Sequence, residues 1–349
     1  MVEYISVKEL LERQDSGIPL LDIRSPGEFL QGHIPGAISF PLFNDEERKV
    51  VGTEYKHSGP EKAFLTGLDY AGKKMSHFVR QASSLHSNNL LLHCWRGGKR
   101  SESMAWLLSQ AGHHCFVLKG GYKAYRKYIR SELERATNLL VLGGMTGSNK
   151  TGMLKEMQNI GLQVIDLEEL AHHKGSAFGH INEPEQPTSE QFENDLFYQW
   201  DKLDHSLPVW LEDESRTIGK VVLPDIFYEN KRNAPLLVVE VPKESRIAHL
   251  VEDYAGIDDN YLYDALMRIK KKLGGDNLNA CLQALEEKNY HVVADISLSY
   301  YDKAYNYAIT SYHAKENVFH LPLESTDPVM ATEKILDWYT EFSGISVSS

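Results

Sequence analysis

The chain has 349 residues, more than one typical domain needs, so we expect about two domains. With 42% hydrophobic and 25% charged residues, it has the composition of a folded protein, which excludes a disordered chain. A formal net charge of −12 argues against a surface that is basic throughout, so nucleic-acid binding would depend on a local basic patch.

The first half of the chain alternates short apolar runs with helical patterns. The runs 18–24 and 89–94 predict buried strands, and residues 103–111 carry apolar side chains at helical spacing. Residues 114–121 predict a strand that ends in a glycine pair, and residues 122–136 predict a charged helix. Strands that alternate with helices in this way are typical of a parallel sheet.

A second alternating unit begins at residues 138–157, which predict a strand, a glycine-rich turn and a helix. Three further strands are predicted within 162–169, 207–215 and 234–242, and the chain beyond Lys243 is predicted to be mostly helical. We therefore predict an α/β protein of two domains. Residues 1–135 would form a parallel-sheet domain, and residues 136–349 an α/β domain with a mostly helical tail.

The stretch LLHCWRGGKRSE places one cysteine between a predicted strand and a predicted helix. Backbone N–H groups at a helix N-terminus bind anions, and two glycines let the backbone approach a bound oxyanion closely. The helix N-terminus and three nearby cations favour the thiolate over the thiol, so Cys94 is the predicted catalytic nucleophile. The predicted oxyanion-binding residues are Arg96, Gly97, Gly98, Lys99 and Arg100.

The residues of this loop leave two chemistries open. The spacing His93-Cys94-(five residues)-Arg100 fits the signature of cysteine phosphatases, and the same loop suits a cysteine that carries sulfur or selenium. Cys115 and Cys281 lack such a setting, so we expect them to be structural. Three cysteines do not suggest a disulfide framework, and no run approaches the roughly 18 apolar residues of a membrane span. We therefore predict a cytoplasmic protein that enters no membrane.

The stretch GGMTGSNKTG follows an apolar run and opens a helix, which is the setting of a P-loop. It departs from the template G-x-x-x-x-G-K-[ST] at Asn149, where the second glycine is expected. Because asparagine adopts the left-handed region more readily than most residues, we expect the turn to survive at some conformational cost. The predicted diphosphate-binding residues are Gly144, Thr146, Gly147, Ser148, Asn149, Lys150 and Thr151, with Thr151 as a ligand if Mg²⁺ is used.

Acidic residues follow the predicted strand within 207–215. Glu212 and Asp213 are candidates for the metal-side carboxylates of a P-loop fold, with a solvated acidic loop as the alternative. Arg216 is a candidate for binding phosphate or RNA, although an isolated arginine is more often a surface or ion-paired residue. Basic and aromatic side chains that could bind RNA occur at 125–130, at Arg246 and at 268–275.

Residues 20–42, LLDIRSPGEFLQGHIPGAISFPL, closely resemble the rhodanese-homology signature, and residues 117–125, VLKGGYKAY, resemble its closing segment. Pro26 suits a helix start, and Glu28 places a carboxylate in the first turn. A rhodanese-like domain followed directly by a P-loop domain is an unusual pairing. With it, the chain resembles the bacterial tRNA 2-selenouridine synthase family, to which the stretches 50–63, 166–179, 186–194, 210–219 and 300–305 are also similar.

The resemblance implies a two-step change at the wobble uridine of certain tRNAs. Geranyl diphosphate first alkylates the sulfur of 2-thiouridine, and selenium from selenophosphate then displaces the S-geranyl group. Lys150 and the loop amides would hold the diphosphate, and Cys94 would carry selenium as a perselenide-like species or act on selenophosphate directly. Geranyl diphosphate and selenophosphate are then co-substrates, no cofactor is tightly bound, and the implied partners are tRNA with 2-thiouridine at the wobble position and an enzyme that supplies selenophosphate.

Three other functions are open on the sequence alone. The first is a rhodanese-type sulfurtransferase fused to a nucleotide-dependent, kinase-like domain, against which Asn149 argues mildly. The second is a dual-specificity phosphatase, but the loop offers no carboxylic general acid before Glu102. The third is an RNA-binding scaffold with a decayed nucleotide site.

Overall fold

The computed structural model describes residues 1–136, 138–175, 179, 181 and 183–344, leaving out the side chains of residues 254, 255 and 312. The chain divides into two compact units, Met1–Glu132 and Leu133–Ser349. Each unit is built on its own five-stranded sheet, in which all neighbouring strands are parallel. None of the helices formed by the described residues is long and apolar enough to cross a membrane.

The first unit has the strand order β1-β5-β4-β2-β3. Its central strands are buried on both faces, as the continuous apolar runs in the sequence predict. The strands are β1 (Val2–Ile5), β2 (Leu20–Asp22), β3 (Ile38–Ser39), β4 (Asn89–His93) and β5 (His114–Leu118). The helices are α1 (Val7–Asp15), α2 (Pro26–Gln31), α3 (Asp45–His57), α4 (Pro60–Gly72), α5 (Met75–Ser83), α6 (Lys99–Gln110) and α7 (Gly121–Leu133).

The start of α2 confirms a detail of the sequence analysis. Pro26 is its first residue, and the Glu28 carboxylate accepts the Ser25 N–H at 3.1 Å, which satisfies a donor that the helix leaves unpaired. Because this turn fixes the Glu28 side chain, it also fixes a group that reaches the cysteine loop.

The second unit has the strand order β12-β11-β6-β8-β7, with a separate antiparallel pair, β9 and β10. The strands are β6 (Leu139–Gly144), β7 (Gln163–Ile165), β8 (Val209–Glu212), β9 (Thr217–Ile218), β10 (Val221–Val222), β11 (Leu236–Glu240) and β12 (Val318–Pro322). The helices are α8 (Lys150–Asn159), α9 (Leu167–Ala171), α10 (Ser189–Trp200), α11 (Asp225–Asn233), α12 (Lys243–Ala255), α13 (Asp259–Leu273), α14 (Gly275–Glu286), α15 (Tyr290–Tyr312) and α16 (Pro328–Ser343), with a 3₁₀ turn at Lys315–Asn317.

The region beyond Lys243 is mostly helical, as predicted, and α12–α15 share a core of leucine, isoleucine, valine and alanine side chains. It also contributes β12, an edge strand that pairs with β11. The sequence analysis missed β12 because it follows a long helical stretch and pairs with a strand about eighty residues earlier.

Candidate functional site

Cys94 lies at the carboxyl end of β4, where ligands commonly bind in open α/β sheets. The loop after it reaches α6 through Gly98, the residue that precedes the helix. The thiol is 3% exposed, and the Ser101 hydroxyl lies 3.2 Å from Sγ and 3.1 Å from the Gly98 carbonyl oxygen. A hydroxyl that donates to sulfur stabilises the thiolate, so Ser101 joins the predicted site, which the sequence analysis had not included.

The glycine pair that closes β5 holds this loop in place. The N–H of Tyr122 donates to the Cys94 carbonyl at 2.8 Å, and the N–H of Lys123 donates to the Trp95 carbonyl at 3.0 Å. Gly121 has φ +58°, and a Cβ added there would lie 2.2 Å from the Cys94 carbonyl oxygen and 2.4 Å from the Gly97 nitrogen. A side chain at residue 121 would not fit between the two segments. The backbone of the closing segment VLKGG therefore packs directly against the backbone of the cysteine loop.

Arg100, one of the predicted anion ligands, is tied to Glu28 of α2. Its Nη1 lies 2.7 Å from Glu28 Oε2, and Arg48 of α3 approaches the same carboxylate at 3.5 Å. Burial alone would raise the pKa of Glu28, but its hydrogen bonds and ion pair with Arg100 lower it to about 2. The carboxylate therefore stays charged and fixes Arg100, whereas the Arg96 and Lys99 side chains are exposed.

His93 precedes Cys94 but supplies it with no positive charge at neutral pH. The imidazole is fully buried, and its Nε2 lies 3.6 Å from Oδ2 of Asp22. Burial lowers the pKa of His93 to about 4, against the opposing effect of Asp22. Asp22 instead pairs with Arg24, whose guanidinium lies 3.8 Å from the centre of the Tyr122 ring.

The two remaining cysteines behave as expected of structural residues. Cys115 lies in β5 and Cys281 in α14, and both are fully buried. Burial raises the pKa of each thiol to about 11, so both are protonated at neutral pH. Neither is poised to act as a nucleophile.

A cavity of about 680 Å³ opens beside Cys94 within the first unit. Helices α3 and α4 form much of its wall, and the segment before α3, the cysteine loop and the start of α6 form the rest. Most of the lining is apolar, and the described residues that line it include no Asp or Glu. Its cationic lining residues are Arg48, Lys56, Arg96, Lys99 and Arg100.

In the second unit, the predicted phosphate loop joins β6 to α8 at the carboxyl edge of the sheet. Gly144 ends the strand, Thr146 to Asn149 form the turn, and Lys150 and Thr151 begin the helix. The Lys150 ammonium donates to the Gly144 carbonyl at 2.9 Å, across the mouth of the loop. The Ser148 hydroxyl is buried without a hydrogen-bond partner among the described residues.

Asn149 adopts the left-handed conformation that the sequence analysis expected, with φ 62° and ψ 39°. The Asn149 side chain also forms two hydrogen bonds that a glycine could not form. Oδ1 accepts the Gly152 N–H at 3.2 Å, and Nδ2 donates to the Thr326 carbonyl at 2.9 Å. The asparagine therefore caps α8 and ties the loop to the segment before α16.

Tyr305 lies in α15 and contacts the phosphate loop. The sequence analysis gave it no role, although the stretch 300–305 was noted there as similar to the family. The Tyr305 hydroxyl accepts the Gly144 N–H at 2.7 Å and lies 3.3 Å from Oδ2 of Asp213. Asp213 also faces Lys231 at 3.6 Å and His313 at 3.5 Å. Burial would raise the pKa of Asp213, but the opposing effects of His313 and Lys231 are larger, so the pKa is lowered.

The other two candidates, Glu212 and Arg216, lie in different surroundings. Glu212 is fully buried, and its carboxylate accepts the Leu167 N–H at 2.7 Å, which ties β8 to the start of α9. Burial, with Asp166 nearby, raises the pKa of Glu212. Arg216 is exposed and forms an ion pair with Asp225 at the start of α11.

Two carboxyl groups missed by the sequence analysis adjoin the first turn of α8. Glu168 Oε2 lies 3.3 Å from the Thr151 hydroxyl, and Glu168 hydrogen-bonds to Glu214. Burial and then the charge of Glu214 raise the pKa of Glu168 to about 8. No group of three or more His, Cys, Asp or Glu within the described part of the chain forms a metal cluster. Two carboxylates and a hydroxyl nevertheless suit Mg²⁺, which typically takes few protein ligands and completes its shell with phosphate and water.

Arg246 was a candidate for RNA binding. It lies in α12 and instead holds the phosphate loop in place. It is 4% exposed and pairs through two hydrogen bonds of 2.8 Å with Asp302. Its Nη1 also donates to the Thr146 carbonyl at 3.1 Å. The guanidinium is committed to the protein, so the prediction that it contacts RNA is wrong. The lysines of 268–275 differ, since Lys270, Lys271 and Lys272 are exposed at the end of α13.

Comparisons with known proteins cover both units. Residues 137–331 match the family model described as tRNA 2-selenouridine synthase AAA domain, and residues 6–128 match the rhodanese-like domain. The tRNA 2-selenouridine synthase of Sulfurovum sp. is 37% identical over 327 residues, covering 83% of this chain and 88% of that protein. The proteins of the same name from Nitrosomonas europaea and Marinobacter nauticus are 39% and 35% identical, covering 72% and 84% of this chain and 67% and 89% of their own lengths.

Proposed function

The chain belongs to the tRNA 2-selenouridine synthase family, and we propose that it converts 2-thiouridine at the tRNA wobble position to 2-selenouridine in two steps. The observation that carries the proposal is the presence of two different loops in one chain. One presents a cysteine among cations, and the other presents a lysine at a phosphate-type turn. A sulfur-to-selenium exchange that passes through an alkylated intermediate needs both.

The first step is S-geranylation. The sulfur of 2-thiouridine forms a bond to C1 of the geranyl chain, the bond from C1 to the diphosphate oxygen breaks, and pyrophosphate leaves with the proton lost by the base. Lys150 and the loop amides would bind the diphosphate and stabilise the charge that develops on it. To do so, the Lys150 ammonium would exchange the Gly144 carbonyl for a diphosphate oxygen.

The second step replaces sulfur by selenium. The selenium of selenophosphate bonds to C2 of the base, the bond from C2 to the alkylated sulfur breaks, and geranylthiol leaves. Transfer of the phosphoryl group to water releases phosphate and completes the balance. Cys94 is the proposed nucleophile of the phosphoryl transfer: its thiolate bonds to phosphorus as the bond from phosphorus to selenium breaks, and water then releases phosphate and restores the thiolate. The Ser101 hydroxyl lies beside the Cys94 sulfur, and Arg96 and Lys99 would lie near the selenophosphate oxygens.

Mg²⁺ fits the residues around the phosphate loop. The Thr151 hydroxyl and the Glu168 carboxylate would hold it, with Glu214 adjacent. A bound Mg²⁺ would neutralise charge on a diphosphate.

The proposed macromolecular partner is tRNA, although the net charge of the chain is −12. Lys270, Lys271 and Lys272 at the exposed end of α13 form a local basic patch that suits the phosphate backbone. We also propose that the protein works in the cytoplasm and receives selenophosphate from the enzyme that makes it.

The test separates the two steps in the full-length protein. 2-Thiouridine tRNA is incubated with geranyl diphosphate and selenophosphate, and the nucleosides are measured by mass spectrometry. Cys94→Ala should abolish 2-selenouridine and leave S-geranyl-2-thiouridine to accumulate. Lys150→Ala should slow geranylation by roughly 10²–10³-fold and leave the selenation of pre-geranylated tRNA intact. Equal loss of both steps in each variant would contradict the division of labour.

A further inference from the structure

We propose that the cavity beside Cys94 is the binding site for the geranyl chain of the S-geranylated uridine during selenation. The inference rests on the proposed function and adds where the apolar part of its intermediate binds. The occupant is a branched, unsaturated chain of ten carbons that is attached through sulfur to an RNA base.

The chemistry of the wall fits such a chain. The cavity, of about 680 Å³, has the volume of a small-molecule site and an apolar lining on α3 and α4. Four large side chains around it are unusually exposed for their type, with Tyr55 at 63%, Phe64 at 43%, Leu68 at 50% and Trp95 at 38%. Exposed apolar groups gathered around one concavity mark a surface that binds something apolar.

The charges around the cavity suit the rest of the intermediate. Five cations occur among the described lining residues, of which Arg48 and Arg100 pair with Glu28. The other three are Lys56, Arg96 and Lys99, and the Lys99 ammonium lies 4.7 Å from the centre of the Phe64 ring. One site thus offers apolar surface for the prenyl chain and positive charge for selenophosphate and the RNA backbone. A chain held here would bring the bond between C2 and sulfur close to Cys94, which lines the same cavity.

This assignment also explains a stretch that the proposed chemistry left without a role. Residues 51–63, VGTEYKHSGPEKA, include no predicted catalytic residue, yet they span the end of α3 and the start of α4. Val51, Gly52, Tyr55, Pro60 and Ala63 from this stretch all line the cavity. Under this proposal, these residues form part of the wall of the prenyl site.

Two variants of α4 test the assignment in opposite ways. Gly67→Leu fills the cavity, because a Cβ at this position already lies 3.3 Å from Cζ of Phe43. The double variant Phe64→Ala with Leu68→Ala removes two apolar contacts at exposed positions, where truncation leaves folding intact. Leu65→Ala is the matched control, since Leu65 is 58% exposed on the same helix and does not line the cavity.

The measurement compares chain lengths. Anticodon stem-loops carrying S-geranyl-2-thiouridine or S-dimethylallyl-2-thiouridine, which is five carbons shorter, are given to each full-length variant with selenophosphate. We expect wild type to prefer the geranyl substrate in kcat/KM by at least roughly tenfold, because the loss of even one methylene from an apolar pocket costs about that factor. Gly67→Leu and the double variant should lose this preference chiefly through the geranyl substrate, and Leu65→Ala should retain it.

The outcomes separate this inference from the function beneath it. Selenation by wild type, with cavity variants that keep the full preference for geranyl, would overturn the prenyl site and leave the function standing. If the cavity variants instead slow geranylation of 2-thiouridine tRNA, the cavity holds the diphosphate donor and the inference is wrong. If the cavity variants weaken binding of the unmodified stem-loop as much as binding of the geranylated one, the cavity binds RNA bases and the inference is wrong. If wild type makes no 2-selenouridine from either substrate, the function and the inference fall together.

Discussion

The two functional loops share one plan and differ in what surrounds them. Each joins the carboxyl end of a parallel strand to the first turn of a helix, after β4 in one unit and after β6 in the other. Cations surround the cysteine loop, and close backbone packing holds it rigid. Carboxyl groups surround the phosphate loop, whose turn is fixed by side chains of Asn149, Tyr305 and Arg246.

Under the proposed function, the same backbone device would serve two chemistries according to its neighbours. The first loop places cations and the Ser101 hydroxyl near the Cys94 sulfur. A diphosphate with Mg²⁺ needs an ammonium and hard oxygen ligands together, and the second loop has Lys150 between the Gly144 carbonyl and the acidic groups. The next three substitutions test whether backbone packing fixes one loop and side chains fix the other.

The largest effect is expected from Gly121→Ala. The added Cβ would meet backbone atoms of the cysteine loop that cannot rotate away, and φ +58° is unfavourable for alanine. We expect the unfolding free energy to fall by roughly 3 kcal/mol or more, with faster alkylation of Cys94 as the loop opens. Gly112→Ala is the control, because it has φ +97° but open space around its Cβ, and it should cost only about 1–2 kcal/mol. Equal losses in urea unfolding would show that the contact between the two segments does not matter.

An intermediate effect is expected from Glu28→Gln, and it should depend on pH. The folded state lowers the pKa of Glu28 from 4.5 to about 2, so its contribution is complete above pH 4.5 and is lost as the pH falls towards 2. This shift corresponds to at most about 3 kcal/mol, and to about 1–2 kcal/mol once screening by solvent at this partly exposed pair is included. The variant should therefore be less stable than wild type by about that amount at pH 7, and the gap should close between pH 4.5 and 2. A gap in unfolding free energy that is constant over this range would refute the ion pair with Arg100 as its source.

The smallest effect is expected from Asn149→Gly. Glycine relaxes the left-handed turn but removes the cap on Gly152 and the hydrogen bond to Thr326. Because these changes oppose each other, we expect the unfolding free energy to change by less than about 1 kcal/mol. Asn149→Ala loses both advantages and should cost about 2 kcal/mol. If Asn149→Gly costs as much as Asn149→Ala in thermal and urea unfolding, the hydrogen bonds of the side chain outweigh the turn.

Local patterns predicted most of the elements that position the two loops. The strands before Cys94 and Gly144 and the helices after them have the expected places, because apolar runs and glycine turns are encoded within a few residues. The conformation of Asn149 could be anticipated for the same reason.

What the patterns could not show depends on residues far apart in the chain. Tyr305 reaches Gly144 across 161 positions, and the ion pair of Arg100 with Glu28 spans 72. The edge strand β1 is short and half-exposed, so its pattern is weak. Arg246 looked like a surface residue because its partner, Asp302, lies in another helix. The cavity is likewise a property of how α3 and α4 fold over the cysteine loop.

Ser101 has one hydroxyl proton and two acceptors within reach, the Cys94 sulfur and the Gly98 carbonyl. If Cys94 reacts as a thiolate, as proposed, this proton would point towards the anionic sulfur. Once the sulfur carries an adduct and its charge is gone, the same proton can rotate to the carbonyl without losing a partner. Each turnover would then be accompanied by a single hydroxyl rotation, so the nucleophile can gain and lose its charge with no rearrangement of the backbone around it.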